Sequence, residues 1–336
     1  MARLSARLDG SPLEDATADR VDADERAGLP PTSVADRAPA LDSTATVTSD
    51  GASGTPGWAR VLRIDSMPTQ DVAAVEYANL LAAVDAEPAL APRFLQEPGA
   101  VLVTLHGLVC RGLVDPAIIG RPRRSELAVH DGAQGRVLYN TPPPGAVGDL
   151  LAGLVAWLAG DLPAGFARPA AETPALLLAG VVHERLLQWQ PFAAGNGRVA
   201  RAAARLVLRA RGLDPDGVAV PEAAFIADRV AYYGEVAATI RRRDDLTAWL
   251  ERCAEATVEA LEAAADALGP RPEPDAPASA VRTVSALAPG DTITVADLAA
   301  AAEVSRADAQ RHLRALVRAG LLARDPGTRG LRYRRR

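Results

Sequence analysis

Apolar residues recur at helical spacing along most of the chain. The run QDVAAVEYANLLAAVDA, residues 70–86, predicts a helix, and the same period returns over 100–113 and 146–159. Further helices are predicted over 173–189, 196–211, 221–241 and 244–267. Between the second and third of these, residues 120–144 carry LAVHDG and GRVLYN around glycine-containing turns and then three prolines, which reads as a β-hairpin. Residues 16–60 have neither a helical nor a strand period and are rich in Asp, Ala, Ser, Thr, Pro and Gly. They are read as a flexible linker between a short N-terminal element, 1–15, and a main helical domain, 61–268. The apolar positions of that element between Leu4 and Glu14 are able to dock elsewhere. A proline-rich linker, 269–279, precedes a last module, 280–336. There, helices are predicted over AVRTVSAL, 294–302 and 306–319, with a turn at 303–305. Gly320 stops the last helix, and strand-like runs at 321–323 and 331–333 flank Pro326-Gly327.

Composition narrows the chemistry. Apolar residues at 49% and charged residues at 24% are globular values, and aromatics at only 4% leave a core of Ala, Leu and Val. All 37 basic residues are arginine, which excludes lysine Schiff bases and a Walker-type phosphate lysine. Two distant cysteines, Cys110 and Cys253, exclude a disulfide scaffold and a cysteine zinc site, and four scattered histidines argue against a zinc enzyme. No apolar run predicts a signal peptide or a membrane span, so a cytoplasmic location is expected. The net charge of −5 is divided unevenly: residues 281–336 hold 11 Arg against 5 acids, about +6, leaving about −11 elsewhere.

The stretch QWQPFAAGNGRVAR, 188–201, joins two predicted helices. Glycines around an asparagine just before a helix let backbone N–H groups converge at the positive end of its dipole, which suits a phosphate. There the glycines serve positive φ or the close approach of a ligand. Arg198 and Arg201, three apart, share a face near that end and can grip further phosphate oxygens. Arg198, a polar residue at a helix start, is expected outside the core. The alternative is a tight interhelical turn with a solvated arginine face.

The string P-F-x-x-G-N-G-R-x-x-R resembles the signature of the Fic (Fido) family, His-Pro-Phe-x-(Asp/Glu)-Gly-Asn-Gly-Arg-x-x-Arg. The resemblance covers residues 70–265. It implies a mainly α fold, a Fic-type helical core with a β-hairpin flap that lines up a target protein by strand addition. It also implies AMP transfer from ATP to a target hydroxyl, with ATP or another nucleotide held by Phe192, Gly195, Asn196, Gly197, Arg198 and Arg201. Two positions depart from the signature. Gln190 stands where the family has its catalytic His, and an amide is no general base. Ala194 stands where the family has the acid that holds Mg²⁺, and a methyl group is no ligand for a hard cation, so no metal ligand is assigned. A degenerate motif of weak or absent activity is therefore expected. His183 is seven residues upstream, about 10 Å along a helix, and reads as a core histidine; nothing places Glu184 in the pocket.

Ser5-Ala6-Arg7-Leu8-Asp9-Gly10 is similar to the family's inhibitory element, (Ser/Thr)-x-x-x-Glu-Gly, with Asp9 for the Glu that pairs with the second motif arginine, here Arg201. Ser5, Asp9 and Gly10 are thus candidate inhibitory residues. The last module resembles a winged helix-turn-helix. Arg306, Arg311 and Arg314 on its second helix, with Arg324, Arg329, Arg332 and Arg334–Arg336 in the wing and tail, are candidate DNA contacts. The alternative is a packing or homodimer contact. A DNA-binding regulator that uses the Fic core as a sensor is the rival function.

Overall fold

The computed structural model describes residues 1–27, 69–130, 136–269, 275–325 and 332–335. Most of the expected 16–60 linker therefore lies outside the described residues. The chain divides into two compact units, Met1–Ala264 and Ala265–Arg336, each with its own apolar core. Among the described residues no helix is long and apolar enough to cross a membrane.

The first unit is helical. It contains α1 (Ala2–Leu8), α2 (Asp15–Arg26), α3 (Thr69–Phe94), α4 (Pro98–Cys110), α5 (Pro144–Leu158), α6 (Ala175–Trp189) and α7 (Asn196–Ala210). After these come α8 (Glu222–Ala227), α9 (Arg229–Arg241) and α10 (Thr247–Leu268), whose last four residues fall in the second unit. A two-stranded antiparallel hairpin, β1 (Ala128–His130) with β2 (Val137–Asn140), interrupts the helices where the sequence predicts it. Helix α7 is central and packs on α6, α3, α4 and α1. Ala200, Ala202 and Ala203 are all buried, and small side chains let those neighbours approach from several directions.

Three sequence expectations change. Residues 16–26, read as linker, lie in α2. Its composition is polar, but Thr17 and Ala18 are buried, the Tyr77 hydroxyl donates to Asp22 at 2.6 Å, and Arg3 pairs with Asp19 and Asp22. Tertiary contacts, not an apolar stripe, order this helix. Helix α3 continues beyond 86 through Pro88 and Pro92. Buried Leu90, Ala91 and Phe94 anchor its end, and Glu87 pairs with Arg205 at 2.6 Å, which offsets two missing amide donors. The predicted helix 221–241 is two helices, broken at Asp228, whose side chain caps α9 by accepting from the Ala231 N–H at 2.9 Å.

The second unit holds α11 (Ala278–Ser285), β3 (Thr292–Thr294), α12 (Val295–Ala301), α13 (Arg306–Arg318), β4 (Leu322–Asp325) and β5 (Arg332–Arg335). Thr294 and Asp297 form a capping box on α12, and Ser305 caps α13 by accepting from Asp308 N–H. Gly320 stands at φ +72°, the left-handed stop expected of it. The sheet order is β3-β5-β4, with all pairs antiparallel. Strand β3 is too short to leave a period-two signal and was not expected.

Candidate functional site

The loop from Gln190 to Gly195 joins α6 to α7 and is built from both its neighbours and itself. Gln190 closes α6 at φ 44°, ψ 61°, a left-handed conformation uncommon for a residue with a Cβ. Its Nε2 turns back to donate to the Leu187 carbonyl at 2.8 Å. Phe192 is buried and stacks on the His106 ring of α4, with centroids 4.2 Å apart and planes at 13°. His106 Nδ1 accepts from the Gly120 N–H at 2.8 Å, so Nε2 carries the proton and donates to the Ala194 carbonyl at 3.2 Å. Burial pushes the His106 pKa down to about 4 and keeps the ring neutral. The Asn196 amide closes the loop, accepting from Phe192 N–H and donating to the Phe192 carbonyl, both at 2.8 Å.

Gly195 stands at φ +73°, and a Cβ there would lie 2.5 Å from Cys110 Sγ. Burial pushes that thiol up to about 11, so it is a packing group and not a thiolate. Arg123 ties the base of the hairpin to the same loop. Its guanidinium donates to the carbonyls of Gln190 (2.8 Å), Ser125 (2.6 Å) and Pro142 (2.6 Å), and its backbone N–H donates to Pro191 (2.8 Å).

At the first turn of α7 the arginines meet a carboxylate from the N-terminus. Asp9, just after α1, accepts through Oδ1 from Arg201 Nη2 at 2.8 Å and from the Tyr233 hydroxyl at 3.3 Å. Its Oδ2 stands 3.4 Å from Arg198 Nε. A Cβ on Gly197 would come within 2.5 Å of Asp9 Oδ1 and 3.0 Å of Arg201 Nη1, so the missing side chain makes room for the anion. Of the two motif glycines, only Gly195 needs positive φ; Gly197 serves close approach. Ser5 adds its hydroxyl and its carbonyl, accepting from Arg201 Nε at 2.8 Å and Nη2 at 2.9 Å. Gly10, at φ +81°, turns the chain away directly afterwards.

The expectation that Arg198 lies outside the core is corrected. It is 6% exposed, stands 3.4 Å from buried Glu76 of α3, and donates to the Val109 carbonyl. Burial works against both arginine charges, yet Glu76 and Asp9 hold Arg198, and Asp9 holds Arg201, above their ordinary values. Arg198 Nε and Arg201 Nη1 are nevertheless buried without a hydrogen-bond acceptor. Both groups lie beside the start of α7, where the helix dipole also favours a negative charge.

The structure thus brings Ser5, Asp9, Gly10, Gly195, Gly197, Arg198 and Arg201 together, and Phe192 and Asn196 shape the loop beneath them. Gln190 lies at the loop's entrance with its amide used locally. Ala194 is buried, and among the described residues no three of His, Cys, Asp and Glu gather to hold a metal ion. The residues present do not fit Mg²⁺. His183 Nε2 lies 2.7 Å from the Tyr232 hydroxyl among Phe225, Tyr232 and Trp249, and burial holds its pKa well below the ordinary value. Glu184 accepts from the Thr239 hydroxyl at 2.8 Å and stands 3.3 Å from Arg185. His106, Glu76 and Tyr233 escaped the sequence reading. The one available signal was a charged or imidazole side chain inside an otherwise apolar helical run, as in AAVEYAN and VTLHGLV.

In the second unit Arg306, Arg311 and Arg314 are exposed on α13, Arg311 paired with Asp308 at 2.7 Å. Arg332 and Arg334 project from β5 beside buried Tyr333. Arg329 and Arg336, like the hairpin tip 131–135, lie outside the described residues.

Residues 100–208 match the model of the Fic/DOC family, and residues 283–325 match a helix-turn-helix domain. No curated protein matches the chain. Among solved structures, a Fic family protein from Desulfovibrio desulfuricans is 23% identical at a TM-score of 0.48, covering 79% of this chain and 75% of that one. Fic-1 (residues 134–508) from C. elegans is 16% identical at a TM-score of 0.50, covering 79% of this chain; this chain spans 61% of that structure. At that identity the likeness is one of fold alone.

Proposed function

We propose that this chain, whose residues 100–208 form a Fic/DOC-family domain, binds the phosphate of a nucleotide at the start of α7 and transfers AMP weakly or not at all. One observation carries the reading: the Asp9 carboxylate sits between Gly197, Arg198 and Arg201 as an anion would, with the buried Arg201 Nη1 still without an acceptor. Asp9 acts as an internal plug, held by Ser5 and by the clasp of α1 on α2 and α3. A nucleotide binds by displacing it. Fic-family domains are known for AMP transfer, and here that reaction lacks two groups. A proton must leave the attacking hydroxyl, and Gln190 offers an amide already donating to Leu187. Loss of a general base alone slows such a step by about 10²–10⁴. The hairpin, anchored by Arg123, remains a surface on which a target segment could add as a strand.

The helix-turn-helix domain and the exposed arginines of α13 and β5 favour a second role, contact with DNA phosphates. In that reading nucleotide occupancy of the first unit is the signal and DNA the output.

The test is incubation of the purified chain with α-labelled ATP, Mg²⁺ and cell extract, beside the Gln190→His, Ala194→Asp double variant. The unaltered chain is expected to leave little or no acid-stable label on any protein. Efficient metal-dependent labelling by the unaltered chain would overturn the reading.

A further inference from the structure

The two carboxylates facing the motif arginines belong to different parts of the fold. Asp9 follows α1, a seven-residue helix at the N-terminus, outside the helices that carry the motif. Glu76 lies in the 26-residue α3, buried within the core, 3.4 Å from Arg198 Nη1. Displacement of the plug therefore removes one negative charge and leaves the other. The open cradle holds Arg198, Arg201 and Glu76, a net charge of +1 rather than +2. No acid stands in the motif loop to bring in a divalent cation, because position 194 is Ala.

We infer that the anion that displaces Asp9 is a phosphate monoester bound without a metal, such as a nucleoside monophosphate, and that Glu76 sets this preference against nucleoside triphosphates. The inference rests on the nucleotide-phosphate reading above and narrows its ligand class. Asp9 marks the donors with one compact anionic group, contacted by Arg201 Nη2 at 2.8 Å, the Tyr233 hydroxyl at 3.3 Å and Arg198 Nε at 3.4 Å. A single phosphoryl group has three oxygens for these donors and for the unmatched Arg201 Nη1. A triphosphate brings two further phosphoryl groups, for which the cradle offers no second free arginine and no motif-loop acid to seat the Mg²⁺ they carry. A buried fixed carboxylate then repels the extra charge at short range and in low dielectric.

The experiment is calorimetric titration of the full-length Asp9→Ala chain with inorganic phosphate, AMP, ADP and ATP, each with EDTA and with excess Mg²⁺. AMP is expected to bind at least as tightly as ATP, and Mg²⁺ to leave AMP affinity unchanged within about twofold. Inorganic phosphate, if it matches AMP, identifies the phosphoryl group itself as the recognised element. Glu76→Gln in the same background keeps the side-chain shape and removes the charge. It is expected to shift the ATP-to-AMP affinity ratio toward ATP by about tenfold, the scale of one charge felt across several ångströms of protein. Tightest binding of Mg-ATP by Asp9→Ala would overturn this inference while leaving the phosphate cradle intact. An unchanged ratio in a folded Glu76→Gln chain would remove Glu76 as the determinant. Failure of all four probes to bind would instead overturn the reading on which the inference rests.

Discussion

Replacement of Asp9 by Ala couples stability to affinity in a way that can be worked from the contacts. The carboxylate accepts a charge-assisted bond from buried Arg201 and faces Arg198 and the Tyr233 hydroxyl. A hydrogen bond to a charged partner contributes about 1.5–3 kcal/mol, and the side chain is 24% exposed, which favours the lower half of that range. The ligand-free chain should lose about 2 kcal/mol, or about 4–8 °C in melting temperature for a unit of this size. The same 2 kcal/mol is what a ligand must overcome to displace the plug. Removing it should tighten phosphate binding about thirtyfold, because the binding-competent fraction rises from about 3% toward unity. Thermal denaturation and calorimetric titration of the same two proteins give both quantities. A destabilised variant with unchanged or weaker affinity would refute the reasoning, since Asp9 would then be structural and not a competitor.

Gly195→Ala forces a left-handed alanine and a contact with Cys110 Sγ, and should cost about 2–4 kcal/mol in denaturant unfolding. Arg123→Ala strips donors from four carbonyls at the base of the hairpin; faster limited proteolysis within 124–142 is expected, with 2 kcal/mol or more (roughly) lost from stability. Glu184 is pushed up to about 7, chiefly by burial. Between its unfolded value near 4.5 and that of the folded state, the native chain binds the extra proton, so this group's contribution falls as pH rises through that window. Glu184→Gln should therefore be more stable than the unaltered chain at pH 8, by about 2–3 kcal/mol, and nearly equal at pH 5; equal stability at both would contradict the assignment.

Much of the fold was legible because the chain writes helices as long runs rich in alanine, leucine and valine, bounded by Pro, Gly and polar turns. The loop at 190–197 was legible for a different reason: a local turn that needs particular residues leaves them in sequence order. What the sequence could not show was long-range. Helix α2 has no apolar stripe, and contacts to Tyr77 and Gln70, far from it in sequence, and to Arg3 and Arg7 of α1 explain why it forms. The two prolines of α3 argued for an end that buried Phe94 and the Glu87–Arg205 pair override. Arg198 looked like a solvated helix start because nothing local announces Glu76, which is more than a hundred residues away. His106 likewise holds the loop through Phe192 and Ala194 from a helix whose sequence reads as plain core.

Either the start of α7 holds a phosphate in the intact chain, or its arginines have another task. Equilibrium dialysis of the full-length protein against labelled AMP in EDTA measures this directly. Saturation at one AMP per chain, displaced by inorganic phosphate and stronger in Asp9→Ala, is the expected result. No saturable binding in either protein would show that the motif arginines serve only to hold Asp9 and Glu76, and the cradle would be a structural ion-pair cluster.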